Sequence, residues 1–141
     1  MRIALYIGLL FLLVLPMACK KGGCNVIDNV PFTEQVSMVQ YSQLYLPGGV
    51  AQTNRGGVAG LIVVNTGNGY IAFDRASTVD PAKRCAVEVE ESGLVAKDPC
   101  SGARYLLVNG SPAEIAECPL KPYNAVRRGE TGIPLSQLAI R

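Results

Sequence analysis

The sequence contains no histidine, and this absence excludes more chemistry than any other feature of its composition. Ser-His-Asp and Cys-His catalysis, zinc or haem held by histidine, and an imidazole pH switch all need that side chain. An excess of charge of one sign is also lacking, since 13 Lys and Arg stand against 11 Asp and Glu. Nucleic-acid binding needs a clustered basic face, so we expect no nucleic-acid partner.

Motifs for nucleotide binding and catalysis are absent as well. There is no Gly-x-x-x-x-Gly-Lys phosphate loop, and Gly67-Asn68-Gly69 lacks a following glycine that would open a helix, so it is interpreted as a turn. The serine of Gly110-Ser111-Pro112 has no base to activate it. Glu88, Glu90 and Glu91 fit a solvated strand face. We therefore expect no enzyme and no catalytic residue.

What the sequence does have is the N-terminus of an exported protein. Met1-Arg2 supplies a positive charge, and Ile3 to Leu15 is a non-polar run that is too short for a membrane-spanning helix. A charged start, an apolar core and small residues before a cysteine are typical of a secretory signal peptide. The sequence Leu15-Pro16-Met17-Ala18-Cys19 resembles a bacterial lipobox, although Leu15 lies one place early. In a lipobox the cysteine receives lipid and becomes the new N-terminus.

Lipidation at Cys19 would anchor the chain to a lipid bilayer without spanning it. Residues 1–18 would then be the signal peptide, residues 19–30 a polar tether and residues 31–141 the folded domain. An ordinary cleaved signal and an uncleaved anchor are the alternatives. Lys20-Lys21 is not followed by an acidic run of the kind that resembles a surface-export signal. We therefore expect a periplasm-facing lipoprotein of the bacterial cell envelope, with the outer membrane favoured.

The five cysteines are odd in number, and lipidation of Cys19 leaves four. Export permits disulfides, but four cysteines allow three pairings that spacing alone cannot distinguish. Cys85 and Cys100 flank a hairpin sequence whose antiparallel strands would bring them together, so a disulfide between them is geometrically reasonable. No Cys-x-x-Cys spacing exists, and we expect no metal site built from cysteines.

Residues beyond the tether have the pattern of an all-β domain. Short runs of β-branched and aromatic residues alternate with Gly, Pro and Asn turns, which favours an antiparallel β-sandwich or small barrel. Asn65 to Gly69 predicts a hairpin turn, and Val87 and Val89 share one face of an alternating strand. The predicted strands and short apolar runs are residues 36–39, 41–46, 58–64, 70–73, 86–90, 94–96, 105–108, 114–118, 123–127 and 137–140.

Three stretches of the sequence share one pattern: Gly69-Tyr70-Ile71-Ala72-Phe73-Asp74-Arg75-Ala76-Ser77-Thr78, Asp98-Pro99-Cys100-Ser101-Gly102-Ala103-Arg104-Tyr105 and Pro119-Leu120-Lys121-Pro122-Tyr123. Together they resemble a Rieske-type domain, in particular the Rieske-like lipoproteins of Bacteroidetes-type bacteria. The resemblance extends over residues 30–141. It implies a Rieske-like antiparallel β-sandwich with two loops that hold a [2Fe–2S] cluster through Cys-x-His and Cys-x-x-His.

The ligand positions of that pattern are all substituted in this sequence. They fall on Ser77 and Val79 in the first loop and on Asp98 and Ser101 in the second. Valine cannot ligate iron, and serine and aspartate are poor substitutes for thiolates. The corner formed by Ser77, Asp98 and Ser101 is then either a filled, inert loop or a pocket for another ligand, with the filled loop favoured.

The resemblance also implies a Cys85–Cys100 disulfide that ties the two loops together. Cys24 and Cys118 then remain as a possible second pair. A disulfide closing a loop of this length stabilises by about 3 kcal/mol in the chain-entropy treatment, and it could take over part of the organising role of the cluster.

The sequence therefore predicts an envelope lipoprotein with a cluster-free Rieske-like domain, no cofactor, and a binding or structural role. Its expected partners are the lipid bilayer, through the acyl anchor, and an envelope protein. The alternative is a Rieske-type electron-transfer protein with a [2Fe–2S] cluster on atypical ligands.

Overall fold

Two antiparallel sheets form the domain in the computed structural model, which describes residues 23–127 and 137–141. The predicted signal peptide and Cys19 lie outside these residues. None of the helices within the described ranges has the length and apolar character needed to span a bilayer.

The larger sheet has six strands and the smaller sheet has four. In chain order the strands are β1 (Glu34–Ser37), β2 (Val50–Thr53), β3 (Leu61–Asn65), β4 (Tyr70–Asp74), β5 (Glu88–Val89), β6 (Val95–Lys97), β7 (Arg104–Leu106), β8 (Pro112–Glu114), β9 (Pro122–Arg127) and β10 (Gln137–Ile140), with short 3₁₀ helices at Ser42–Tyr45 and Pro81–Lys83. The strand orders are β1-β10-β9-β4-β3-β2 and β5-β6-β7-β8. All paired strands are antiparallel, so the predicted all-β antiparallel sandwich is confirmed.

The larger sheet is buried on both faces at its centre. All five residues of β3 are buried, which explains why its sequence is a continuous apolar run and does not alternate. Leu61 and Val63 pack into one cluster with β1 and β10, while Ile62 and Val64 pack into the other cluster with the smaller sheet. The second cluster therefore joins the two sheets and fixes the loops at their ends.

Two predicted strands and one short apolar run differ from the structure for identifiable reasons. β3 begins at Leu61 and not at Val58, because the N–H groups of Val58 and Ala59 donate to the side chain of Asp74 at 2.7 and 3.1 Å. The run 41–46 contains a 3₁₀ helix. β8 ends at Glu114, earlier than predicted, because Ile115 adopts a φ of 67° that a strand does not allow. β2 was not predicted.

The predicted hairpin turn after β3 is confirmed. Asn65 pairs with Tyr70 across it, and the N–H of Thr66 donates to the carbonyl of Gly69 at 2.9 Å. β10 was predicted with the bounds that the structure has, Gln137–Ile140.

The described part of the predicted tether packs on the domain. Cys24 forms a disulfide with Cys118, and Ile27 is buried. The ammonium group of Lys121 donates to the backbone carbonyls of Ile27 and Asp28 at 3.1 and 2.7 Å. The chain is therefore fixed to the domain from Cys24 onward.

A buried carboxylate closes the end of β4. Asp74 is fully buried and accepts hydrogen bonds from the N–H groups of Val58, Ala59 and Ala76 and from the hydroxyl of Tyr123. Burial, followed by the hydrogen bond to Asp74, raises the pKa of the Tyr123 phenol. With four donors, this carboxylate has a structural role in holding the 57–60 turn against β4.

Gly57→Ala tests this turn. Gly57 has a φ of +61°, and an added Cβ would overlap the Oδ2 atom of Asp74. Gly93 has a similar φ of +68° but open space around it, so Gly93→Ala measures the backbone cost alone, about 1 kcal/mol. We expect Gly57→Ala to lower the free energy of unfolding by at least about 1 kcal/mol more than Gly93→Ala, because a buried hydrogen-bonded carboxylate must move. Equal losses in urea titrations would contradict this account of the turn.

Candidate functional site

The two loops singled out in the sequence lie side by side at one end of the smaller sheet. The first follows β4 and the second joins β6 to β7. The Cys85–Cys100 disulfide links them, with the two Cα atoms 6.3 Å apart. The register of β5 and β6 explains the pairing, because Glu88 lies opposite Lys97 and the same register continued outward sets Cys85 opposite Cys100.

Asp98 is the centre of the polar contacts between these loops. Its side chain is 1% exposed, and its Oδ2 atom accepts a hydrogen bond from the Ser77 hydroxyl at 2.6 Å and another from the Ser101 hydroxyl. The N–H of Cys100 donates to Oδ1 at 2.8 Å. One carboxylate thus joins the first loop, the second loop and the residue that forms the disulfide.

Tyr105 extends this network toward the second disulfide. Its fully buried hydroxyl lies 3.3 Å from the Ser77 hydroxyl and 3.0 Å from the Thr78 hydroxyl, and it accepts from the Thr78 N–H at 3.2 Å. The Thr78 hydroxyl donates in turn to the carbonyl of Cys118 at 2.7 Å. We call Ser77, Thr78, Asp98, Ser101 and Tyr105 the loop corner.

The loop corner keeps Asp98 ionised. Burial raises the pKa of its carboxyl group, but hydrogen bonds from Ser101, Ser77 and the N–H groups of Cys100 and Ser101 together outweigh that cost and lower the pKa below its ordinary value. An ionised, fully bonded carboxylate is an acceptor that organises donors. Because it is already ionised, it has no proton to donate near neutral pH.

Three of the four substituted ligand positions meet in the loop corner, and one does not take part through its side chain. Ser77, Asp98 and Ser101 are hydrogen-bonded to one another through the Asp98 carboxylate. Val79 lies two positions after Ser77 in the first loop. It has 38% of its surface exposed, and its side chain offers no ligand atom. The predicted juxtaposition of the two loops is therefore found, with hydroxyl groups and a carboxylate facing each other.

One group of candidate metal ligands occurs within the described ranges, at Cys85, Asp98 and Cys100. Their ligand atoms lie within 4.8 Å of one another. The two sulfurs are bonded to each other, and the Asp98 oxygens are occupied by hydroxyl and backbone donors. A cluster bound in the Rieske manner needs two thiolates and two imidazoles. The residues present do not fit that group.

The structure contains both disulfides discussed from the sequence, Cys85–Cys100 and Cys24–Cys118. The polar network joins them, because Asp98 accepts from the N–H of Cys100 and Thr78 donates to the carbonyl of Cys118. Two loops, two covalent links and one carboxylate therefore form a single connected unit.

Sequence reasoning missed Thr78 and Tyr105 as members of this unit. Both stand inside the stretches that carry the family resemblance, but neither is a ligand position in it. A buried tyrosine needs a partner for its hydroxyl, so Tyr105 in a short apolar strand was the available signal. Glu90, which the sequence placed on a solvated face, remains partly exposed and forms a two-point ion pair with Arg104 at 2.8 and 3.1 Å; the hydrogen bond from Arg104 lowers the pKa of Glu90.

Comparison with known proteins shows a likeness in structure. No protein-family model matches the chain, and no match was found among curated proteins. Among solved structures, the chain is similar to the ferredoxin of carbazole 1,9a-dioxygenase from Nocardioides aromaticivorans IC177. The two sequences are 15% identical, the match covers 78% of this chain and 97% of that chain, and the TM-score is 0.47.

Proposed function

We propose that this chain is a cluster-free, Rieske-like lipoprotein of the bacterial cell envelope, with a binding or structural role and no enzymatic activity. The observation that supports the cluster-free state is the filled loop corner. Ser77 and Asp98 are 1% exposed and bonded to each other at 2.6 Å, and Tyr105 occupies the space beside them. The buried polar groups of the loop corner therefore already have hydrogen-bond partners within the chain.

The hydroxyl and carboxylate network takes the place of a cofactor in joining the two loops. A metal cluster would bind both loops and hold them together through its ligands. Here a buried, ionised carboxylate with charge-assisted hydrogen bonds does so, with a disulfide beside it. The Rieske-like frame can therefore remain ordered without iron and present its surface to a partner.

The envelope location rests on the N-terminal sequence. Lipidation of Cys19 leaves residues 20–23 between the anchor and Cys24, where the chain joins the domain through its disulfide. Export to an oxidising compartment is consistent with two disulfides in a chain of this length. The proposed partners are accordingly the bilayer, through the acyl group, and a protein of the envelope.

Cys19→Ser tests the anchor. We expect the wild-type chain to sediment with membranes and to carry an acyl mass on Cys19, because lipid chains supply the membrane affinity. The variant should be processed without lipid or remain unprocessed, and after signal removal it should be found in the soluble fraction. Gly23→Ser is the matched control, since it places a serine close to Cys19 in open space, keeps both disulfides and should leave the acyl mass in place. Membrane retention of a processed Cys19→Ser chain would contradict the lipobox interpretation.

The alternative function is electron transfer by a [2Fe–2S] cluster on atypical ligands. The two disulfide-linked loops are the feature that favours it. It requires a visible absorption spectrum that bleaches with dithionite in the purified, full-length protein, whereas the cluster-free proposal expects a colourless protein at every potential tested.

A further inference from the structure

An apolar cleft lies at the end of the domain opposite the loop corner. β7 leaves the corner at Arg104 and reaches the far end at Leu106, and the β5–β6 turn brings Leu94 to the same end. The turn between β3 and β4 also lies there. The cleft between these turns has a volume of about 380 Å³, and its lining includes Gly48, Val64, Thr66, Leu94, Leu106 and Val108.

Apolar side chains around this cleft are exposed to water. Val108 is 71% exposed, Leu94 is 67% exposed and Leu106 is 39% exposed. Covering such side chains stabilises by about 25 cal/mol per Å² of apolar surface removed from water. All three side chains line the one cleft, so a single apolar occupant would cover them together.

The chemistry of the cleft selects an uncharged, apolar occupant. No charged residue lines it. Its polar side chains are already paired within the chain: the Asn65 amide donates to the carbonyl of Leu44 at 2.9 Å and accepts from the N–H of Gly67 at 2.8 Å, and the Thr66 hydroxyl donates to the carbonyl of Gly69 at 3.1 Å. A small molecule would find no polar group to orient it, and walls this exposed would not enclose it as ligand pockets do.

The position of the N-terminus distinguishes a bilayer from a protein as the occupant. Cys24 is bonded to Cys118, whose carbonyl accepts from Thr78, so the described chain begins at the loop-corner end. Residues 20–23 between a lipidated Cys19 and Cys24 span at most about 18 Å when fully extended. β4 spans about 14 Å between the two ends of the domain, and the loops beyond both of its ends add to this distance. The anchor therefore keeps the corner end nearest to the bilayer, and the cleft lies at the opposite end of the domain.

The absence of charged side chains from the lining of the cleft also argues against a bilayer as its occupant. Surfaces that lie on anionic bilayers combine apolar side chains with Lys and Arg, and no Lys or Arg lines the cleft. We propose that the cleft docks an apolar, uncharged segment of a partner protein in the aqueous compartment of the envelope. This proposal rests on the lipoprotein function proposed above and names the surface through which it binds.

The test uses the full-length protein, purified from membranes in detergent and immobilised. A displayed library of random peptides is selected on it, and the chosen peptides are then titrated against Leu94→Glu, Val108→Glu and the wild type. We expect uncharged apolar peptides whose affinity falls at least about tenfold, or 1.4 kcal/mol, in both cleft variants. Val79→Glu is the matched control, because it adds the same charge at an exposed valine of the opposite end, and it should leave the affinity unchanged.

Three results would overturn the proposal. The first is a selection that yields no peptides sensitive to the cleft variants. The second is a concentration-dependent dimer of the wild-type chain that Val108→Glu converts to a monomer, which assigns the cleft to a second copy. The third is binding of the full-length Cys19→Ser chain to phosphatidylglycerol vesicles that Leu94→Glu abolishes, which assigns the cleft to lipid. The acyl mass on Cys19 in the same preparation reports separately on the proposed anchor, so failure of the docking site and failure of the lipoprotein function are distinguishable.

Discussion

Replacing both Cys24 and Cys118 by alanine is expected to lower the free energy of unfolding by about 4.7 kcal/mol, the largest effect of any change considered for this chain. The cross-link joins residues 94 positions apart, so its removal restores much conformational freedom to the unfolded chain. It also removes the covalent link between residues 24–29 and the domain, and leaves the burial of Ile27 and the Lys121 hydrogen bonds to hold them. Chemical denaturation of the full-length protein, with disulfide content verified by thiol titration, measures the loss.

The Cys85–Cys100 pair is the matched comparison. It closes a loop of only 15 positions, and replacing both cysteines by alanine is expected to cost about 3 kcal/mol. The order of the two losses is the sharper test, because both variants lose one disulfide and two sulfur atoms. A larger loss for Cys85→Ala with Cys100→Ala would show that the loop corner, and not the length of the closed loop, dominates the stability of the domain.

Asp98→Asn should lower the free energy of unfolding by about 3 kcal/mol. The carboxylate accepts from Ser77, Ser101 and the N–H of Cys100, and an amide of the same shape turns one of its acceptors into a donor facing other donors. A buried donor without an acceptor costs about 1–3 kcal/mol, and the hydrogen bonds lost here are charge-assisted. Ser101→Ala, which removes one donor and leaves the carboxylate, should cost only about 1 kcal/mol.

The pH dependence of the Asp98→Asn effect has a definite sign. The pKa of Asp98 in the folded protein lies below its ordinary value of 3.8, because the folded state stabilises the charged form. Its contribution is therefore fully present above that value and disappears as the pH falls through the folded-state pKa. The difference in stability between the wild type and Asp98→Asn should be constant near neutral pH and shrink below pH 3.8. A difference that grows on acidification would contradict the network described for the loop corner.

Local sequence patterns were sufficient where the contacts are local. The Asn65 to Gly69 turn and the hairpin that brings Cys85 and Cys100 together follow from turn residues and alternation between near neighbours. β2 was missed because Val50–Thr53 contains two polar residues in four and is framed by Gly49 and Asn54. The start of β3 was placed too early because Val58 has a strand-forming side chain, and only the distant Asp74 carboxylate draws its N–H into a turn.

The loop corner also depends on contacts between residues that are far apart in the sequence. The resemblance placed Ser77 and Asp98 at two of the substituted ligand positions. In the structure they are hydrogen-bonded to each other at 2.6 Å. Thr78 and Tyr105 complete the network through contacts 27 positions apart, which no spacing in the sequence announces. The sequence favoured a filled corner, but that Thr78 and Tyr105 help to fill it follows from packing between the sheets and could not be predicted.

Iron and acid-labile sulfide content of the full-length protein, purified anaerobically from membranes, tests the cluster-free account most directly. An absorption spectrum of the same sample reports independently on any cluster that survives purification. The account predicts no iron, no sulfide and no visible absorption, because the positions that would bind a cluster carry Ser77, Val79, Asp98 and Ser101 and three of these already satisfy one another. Iron and sulfide in stoichiometric amounts would contradict it and make electron transfer the function of this protein.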